Sequence, residues 1–229
     1  YPKSVSIVGT QSERQELTGI ASAIKCPAYF DKTATVFEVK AGDIVTPEIV
    51  INGQWMHGYV YVDWNINKAF DVNLEGEGPY TQGEGNELMC WSFYNHTGEN
   101  ATPGWNSDGV QAGDNTLAPG SFRVPKDLPD GSTYRMRYKV DWNSIESGGR
   151  MTSDNSILGN GGGIVDVLLN VHGDKCNVND ANRNGEVLAA DGKKLVSYQA
   201  PFGQPFTIRM NPEKGFEYAG IIVKHGYNL

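Results

Sequence analysis

Long apolar runs, closely spaced cysteines and an excess of positive charge are all missing from this sequence. No stretch of about 18 consecutive apolar residues occurs, so no helical membrane span is expected. The chain has 19 Lys and Arg residues against 27 Asp and Glu residues, a formal net charge of −8. It therefore lacks the basic surface that binds phosphate backbones, and nucleic acid is not an expected partner.

The three cysteines, Cys26, Cys90 and Cys176, are far apart and form no CxxC pair. This spacing excludes the usual zinc-binding and thioredoxin-like patterns. Cys90 lies between Met89 and Trp91 in a predicted strand, which indicates a thiol in the core. Two states stay open for the three residues: one disulfide with one free thiol, or three buried thiols.

Glycine and proline are abundant, with 28 and 11 residues, and hydrophobic residues make up 39% of the chain. The hydrophobic fraction is sufficient for a buried core, and the glycines and prolines favour turns between strands over a helical bundle. The 229 residues suffice for one large β domain or two modest ones. The sequence begins at Tyr1 without a targeting segment, so we expect a processed portion of a longer protein.

An alternation of residue types predicts β structure. From Tyr134 to Trp142, apolar or aromatic residues occupy every second position, with charged residues between them. A period of 2 predicts a strand with one buried face and one solvated face. The predicted buried face consists of Tyr134, Met136, Tyr138, Val140 and Trp142, and the predicted solvated face of Arg135, Arg137, Lys139 and Asp141.

Gly162–Val171 is almost continuously apolar, which is typical of a central strand covered on both faces. Asp191-Gly192 predicts a tight hairpin turn. Only Ser12–Ile24 has helical spacing, and a strand or loop is an equal alternative there because Thr18 and Gly19 disfavour a helix. Further strands are predicted near residues 35–39, 48–52, 58–64, 122–124, 186–190, 194–198, 206–210 and 218–223.

These patterns together predict an all-β fold. We expect a β-sandwich or jelly roll with long loops over residues 1–175. A small β-hairpin extension is predicted over residues 176–229, either packed on the same sandwich or separate from it.

Three motifs in the first part of the chain are similar to those of a known family. Asp63-Trp64-Asn65 ends a predicted strand, Phe122-Arg-Val-Pro125 precedes a turn, and Tyr134-Arg-Met-Arg137 follows Gly131. In this order they resemble the GEVED-type β-sandwich domain of bacterial secreted and surface proteins, over roughly residues 28–171. The resemblance implies a non-catalytic accessory module of a larger secreted or cell-surface bacterial protein, near carbohydrate-active or adhesive domains.

Two segments have side-chain oxygens at the spacing of a calcium loop. The first contains Asp63, Asn65, Asn67 and Asp71, and the alternative interpretation is a series of Asx turns without a metal. The second contains Asp180, Asn182 and Asn184. Asp191 at its twelfth place lies in the predicted hairpin turn instead, which favours a plain turn. A structural calcium ion is the only cofactor that the sequence indicates.

An enzyme hypothesis depends on paired carboxylates. The candidates are Glu75, Glu77, Glu84 and Glu87 in or beside one glycine-rich loop, and Asp166 in the apolar strand. A glycosidase needs two carboxyls that face each other across a sugar cleft. An acidic loop exposed to solvent is the alternative for the glutamates, whereas Asp166 between two valines requires a partner or an exposed side.

Aromatic residues in loops indicate a binding function. Trp105 and Trp55 lie outside the strand patterns, so we expect both to be partly exposed, with Asn106 and Asp108 beside Trp105 as hydrogen-bonding groups. A loop aromatic that is buried under its own loop is the alternative. Trp64, Trp91 and Trp142 belong to strand patterns and are expected in the core.

The sequence therefore favours a secreted or surface module that binds a glycan or a surface protein without catalysis, by stacking on Trp105 or Trp55. A glycoside-active jelly roll and a structural spacer are the two alternatives.

Overall fold

The protein is described here by a computed structural model. It describes residues 1–20, 29–53, 56–72, 74–75, 81–82, 86–95, 102–110, 116–141, 162–173, 175–178, 184–195, 198–201 and 207–217. These residues contain strands and turns and no helix, so the predicted all-β fold class is confirmed. In the described part of the chain, no helix could cross a membrane. The chain divides into two compact units, Tyr1–Gly173 and Asp174–Leu229.

The first unit contains thirteen strands in its described residues. They are β1 (Pro2–Gly9), β2 (Gln15–Leu17), β3 (Tyr29–Lys40), β4 (Ile44–Ile51), β5 (His57–Val62), β6 (Leu74–Glu75), β7 (Thr81–Gln82), β8 (Leu88–Asn95), β9 (Thr102–Asn106), β10 (Thr116–Leu117), β11 (Phe122–Arg123), β12 (Ser132–Asp141) and β13 (Gly163–His172).

Two sheets form the sandwich of this unit. The five-stranded sheet has the order β10-β4-β1-β2, with β11 also paired to β4, and the six-stranded sheet has the order β3-β13-β12-β5-β8-β9. All described neighbours are antiparallel except β3 and β13, which are parallel. β6 and β7 form a separate two-stranded sheet. The predicted central strand near 162–171 is confirmed as β13, which lies between β3 and β12.

One hydrophobic core joins the two sheets. β1 and β4 contribute Val5, Ile7 and Ile49 from one sheet, and β12 and β13 contribute Met136 and Val167 from the other. Burial of each such side chain stabilises the fold by about 1.5–3 kcal/mol.

Two local features hold the sheets close together. The Tyr138 hydroxyl of β12 donates to the Ser6 carbonyl of β1 at 3.0 Å. Gly58 lies where the sheets approach, because a Cβ atom there would lie 3.0 Å from Leu117 and 3.5 Å from Ile49.

The prediction that one face of β12 is solvated is wrong. Arg137, Lys139 and Asp141 are 0%, 1% and 0% exposed. A second cluster of buried residues lies on this face of the sheet, and it includes Tyr59 and Trp91. The alternation did identify two faces, but both are covered.

The segment Ser12–Ile24 is not helical where it is described. Gln15–Leu17 is strand β2, which pairs with Val5, Ser6 and Ile7 of β1. Residues 21–24 lie outside the described part of the chain. The sheet pairing of β2 decides the local conformation, in agreement with the poor helix formers Thr18 and Gly19.

The second unit contains four described strands in two pairs. They are β14 (Lys175–Val178), β15 (Gly185–Ala189), β16 (Tyr198–Pro201) and β17 (Ile208–Pro212), with β14 paired to β16 and β15 to β17. The predicted Asp191-Gly192 turn is present, with Gly192 at a φ of 85°. Within the predicted partner strand at 194–198, Lys194 forms a bridge with Leu188 and Tyr198 begins β16, whereas residues 196–197 lie outside the described part of the chain.

Candidate functional site

The candidate site is the outer face of the six-stranded sheet, which is the face turned away from the sandwich core. Because side chains alternate along a strand, four charged residues of β12 share this face. They are Arg135, Arg137, Lys139 and Asp141. The register places Asp166 of β13 opposite Arg137. It also places Tyr61 and Tyr59 of β5 opposite Arg137 and Lys139. Charged groups and aromatic rings therefore lie side by side on the central strands.

Asp166 is fully buried and is the centre of a hydrogen-bonded cluster. Arg137 donates to both carboxylate oxygens, through Nε at 2.7 Å and Nη2 at 2.8 Å. Arg135 Nη1 and the Tyr29 hydroxyl both donate to Oδ2, at 3.1 Å and 3.0 Å. The prediction that Asp166 needs a partner is confirmed, since an isolated buried carboxylate carries a large desolvation cost.

Aromatic rings fix the Arg137 guanidinium. Its Cζ atom lies 4.7 Å from the centroid of the Phe70 ring and 5.8 Å from that of Tyr29. Burial, followed by the negative charge of Asp166, raises the pKa of Tyr29 to about 12. The Tyr29 hydroxyl therefore stays protonated at physiological pH and remains a donor to Asp166.

A second buried ion pair lies further along β12. Lys139 Nζ is 3.1 Å from Asp141 Oδ2, and the two side chains are 1% and 0% exposed. Lys139 Nζ also lies 5.7 Å from the centroid of the Tyr59 ring, on which the His57 ring stacks with an interplanar angle of 8°. Buried ion pairs contribute little net stability because desolvation offsets their attraction. Their concentration on one sheet face is therefore a reason to place function there.

Trp105 lies on the same outer face, at the edge of the sheet. It belongs to β9, and the next residue, Asn106, pairs with Ser92 and is 9% exposed. Ser92 follows Trp91, which lies in the outer cluster, so Ser92 and Asn106 point toward the core and Trp105 points outward. Trp105 is 59% exposed. Its expected exposure is thus confirmed, although it is the second-to-last residue of strand β9 and does not lie in a free loop.

The turn after Trp105 is held by its own side chains. Asn106 Oδ1 accepts two backbone amides of the turn, at 3.0 Å and 2.9 Å, and Asn106 Nδ2 donates to the Ala118 carbonyl at 2.8 Å. Asp108 Oδ2 accepts from both the amide and the hydroxyl of Ser121, at 2.8 Å and 3.0 Å. Asn106 and Asp108 therefore position Trp105, and their predicted contact with a ligand stays a prediction.

The first predicted calcium loop is closed by its own hydrogen bonds. Asp63 accepts the backbone amides of Asn67 and Lys68, both at 3.2 Å. Asp71 Oδ2 accepts the side-chain amides of Asn65 at 2.9 Å and Asn67 at 2.8 Å. In the described part of the chain, no group of three or more His, Cys, Asp or Glu side chains is arranged to hold a metal ion. This geometry favours the Asx-turn interpretation, and calcium stays a prediction.

The second predicted calcium loop is only partly described. Asp180 and Asn182 lie outside the described residues, and the carbonyl of the exposed Asn184 accepts the Glu213 amide at 3.0 Å. Asp191 Oδ1 accepts the Lys193 amide at 3.1 Å within the hairpin turn. The expected use of Asp191 as a turn residue agrees with this contact.

Glu87 and Asp166 are the two carboxylates of the enzyme hypothesis whose side chains the structure describes, and both are buried, so they do not form an acid–base pair that faces solvent. Glu87 is 3% exposed, and its two oxygens accept the backbone amides of Asn65 at 3.2 Å and Asp71 at 2.9 Å. Burial raises the pKa of Glu87. Asp166 is 0% exposed, and its two oxygens accept hydrogen bonds from Arg135 and Arg137. Glu77, Glu84 and the side chain of Glu75 lie outside the described part of the chain.

Several other predicted residues fall outside the described residues. Trp55, Trp142 and Cys26 are among them, and of Cys176 only the backbone is described. Cys90 is a free thiol in the core with 0% exposure, and burial raises its pKa well above the ordinary value. Cys90 is therefore a poor nucleophile.

Sequence reasoning missed the most unusual residues of the site, Arg135, Arg137 and Lys139. It placed them on a solvated face because period-2 alternation usually has that meaning. The signal that could have corrected this lies in the neighbouring strand, where Tyr59–Val62 is apolar at every position. A strand without polar positions is covered on both faces, so its neighbour in the sheet is covered as well.

No family model matches this sequence, and neither does any curated protein. The GEVED-type resemblance stays a prediction that depends on its motifs, and the site is interpreted from its own geometry.

Proposed function

We propose that this protein is a non-catalytic β-sandwich module of a secreted or cell-surface bacterial protein, and that it binds glycans on the outer face of its six-stranded sheet. The observation that carries the proposal is Trp105, an aromatic side chain that is 59% exposed on that face. An exposed tryptophan in a strand that leads into a fixed turn provides an apolar platform, and the weakly positive C–H groups of a sugar ring complement its negative π face.

The fixed turn supports this proposal because binding costs less when the contact residue is already ordered. Asn106 and Asp108 accept the hydrogen bonds that hold the turn after Trp105. The backbone that carries the ring therefore does not have to be ordered by the ligand. Arg135, whose side chain is 22% exposed on the same face, can supply a directional contact of the kind that sugar hydroxyls require.

The test is a glycan-array screen of three proteins: the wild type, Trp105→Ala and Phe216→Ala. Phe216 is a matched control, since it is 50% exposed and lies in the second unit. We expect the wild type and Phe216→Ala to bind the same glycans and Trp105→Ala to lose them, with equal melting temperatures for all three. A wild type that binds no glycan contradicts the proposal and leaves the spacer alternative.

The non-catalytic part of the proposal has its own test. Wild-type protein is incubated with a panel of polysaccharides, and reducing ends are measured. Turnover that disappears in a Glu87→Gln variant with the melting temperature of the wild type would establish the glycoside-active alternative instead.

A further inference from the structure

Two guanidinium groups contact one carboxylate on the outer face. Arg137 uses Nε and Nη2 to bind Asp166 in a bidentate manner. Arg135 contacts the same carboxylate through Nη1 alone. Asp31 is the next acid in the neighbourhood, but its Oδ1 accepts the amide and hydroxyl of Thr33, at 3.0 Å and 2.7 Å. Among the contacts that the structure describes, Asp166 is therefore the one carboxylate to which both guanidinium groups donate.

Arg135 is the member of this cluster that reaches solvent. Its side chain is 22% exposed, whereas those of Arg137 and Asp166 are 0% exposed. Its Nε and Nη2 atoms make no hydrogen bond to any residue that the structure describes. These two N–H groups form the edge of the guanidinium that matches the two oxygens of a carboxylate.

The position of Arg135 is fixed before any ligand binds. Nη1 is held by Asp166 at 3.1 Å and by the Tyr29 hydroxyl at 3.3 Å. Tyr29 is in turn held by Asp166 at 3.0 Å. An anchored guanidinium that keeps two N–H groups without an acceptor among the described residues loses less side-chain entropy on binding than a free surface arginine.

We propose that Arg135 recognises the carboxylate of an acidic sugar, so that the glycan bound on the outer face contains uronic acid residues. This inference rests on the proposed glycan-binding function and adds its ligand class. β12 and β9 are three strand spacings apart in the sheet, about 14 Å at about 4.8 Å per spacing. The register aligns Asn106 with Ser92, Gly58 and Val140, so Trp105 lies at the level of Asp141, six residues and about 20 Å along the strand from Arg135. A glycan that contacts both residues must therefore span about 25 Å, which requires an oligosaccharide of several sugar units.

The experiment compares acidic oligosaccharides with their neutralised forms. Oligomers of galacturonate, glucuronate and mannuronate that are long enough to span Arg135 and Trp105, and the methyl esters of the same oligomers, are titrated into the 229-residue protein by calorimetry. For at least one oligomer we expect the acid to bind at least about tenfold more tightly than its ester, since charge-assisted hydrogen bonds are roughly twice as strong as neutral ones. The preference should weaken as salt concentration rises.

Four variants test whether Arg135 causes the preference for the acid over its methyl ester. Arg135→Gln should bind acid and ester equally, and Arg135→Lys should keep a reduced preference because it retains the charge without the planar edge. Trp105→Ala should weaken both ligands and keep their ratio. Arg14→Gln is the charge-matched control, because Arg14 is 44% exposed and pairs with Glu48 of the five-stranded sheet.

The outcomes separate this inference from the function on which it rests. Equal binding of acid and ester by the wild type, or an unchanged preference in Arg135→Gln, overturns the role of Arg135 and leaves glycan binding intact. The same conclusion follows if the wild-type protein binds neutral glycans on the array and binds none of the acidic oligomers. Absence of binding to every glycan overturns both.

Discussion

Replacement of Asp166 by asparagine removes the carboxylate that both Arg135 and Arg137 contact. Arg137 is 0% exposed and cannot reach water, so its buried charge would lose the carboxylate that it contacts through two donors. Breaking a buried ion pair by removal of one partner costs about 3–5 kcal/mol. Loss of the Arg135 and Tyr29 contacts adds to this cost, although Arg135 can reorient toward solvent. Since a domain of this kind is stable by about 5–15 kcal/mol, the loss is a large fraction of the total.

The assay is urea unfolding at neutral pH followed by tryptophan fluorescence. All five tryptophans lie between residues 55 and 142, within the first unit, so the signal reports the unit that contains Asp166. With an m value of about 2 kcal/mol/M, the midpoint of Asp166→Asn should fall by about 1.5–2.5 M. The control is Glu48→Gln, which breaks the exposed pair with Arg14 and should cost about 0–1 kcal/mol.

A double variant tests the cause of the loss. In Asp166→Leu/Arg137→Met both charges are replaced by apolar groups, and replacement of a buried pair in this way is often neutral or stabilising. We therefore expect the double variant to recover most of the lost stability. A loss below about 1 kcal/mol in Asp166→Asn, or a double variant as unstable as the single one, would refute the assignment of Asp166–Arg137 as a buried, mutually neutralising pair.

Three further predictions concern the loops. Gly120 has a φ of 109°, and a Cβ there would collide with Ser107 Oγ and lie 3.1 Å from Asp108 Oδ1. Gly120→Ala should therefore lower the free energy of unfolding in urea by at least about 1–2 kcal/mol. An unchanged midpoint would contradict this prediction. Because burial raises the pKa of Glu87 above its ordinary value of 4.5, the folded state takes up this proton first as the pH falls. Wild type should thus gain stability relative to Glu87→Gln between neutral pH and about pH 5, and a difference that shrinks on acidification would show the opposite shift. Millimolar calcium added to chelated protein should leave the melting temperature unchanged, because the Asp63 loop is already closed by hydrogen bonds; a rise would establish a calcium site.

The fold was predictable from the sequence because its signals are local. The alternation at Tyr134–Trp142 and the apolar run at Gly162–Val171 each specify a strand without knowledge of its partners. The Ser12–Ile24 segment was ambiguous because its apolar spacing also suits an edge strand, and pairing of Gln15–Leu17 with β1 decided the outcome. Sheet pairing is a long-range property that the local pattern does not contain.

The site was predictable only in part. Trp105 could be identified because no strand pattern around it provided a burying partner, and Asp166 because two valines flank it. Arg135 and Arg137 could not be identified in the same way, because their burial depends on residues from β5, β8 and the Phe70 segment that cover the same face. A charged residue in an alternating strand has the same local pattern whether its face is open or covered.

The most direct test of glycan binding on the outer face is the affinity of the strongest array ligand for wild type and Trp105→Ala, measured by calorimetry. Loss of a central tryptophan contact is worth at least about tenfold in affinity. We predict a loss of at least that size, with Phe216→Ala unchanged and equal melting temperatures. Equal affinities of the wild type and Trp105→Ala would contradict the account.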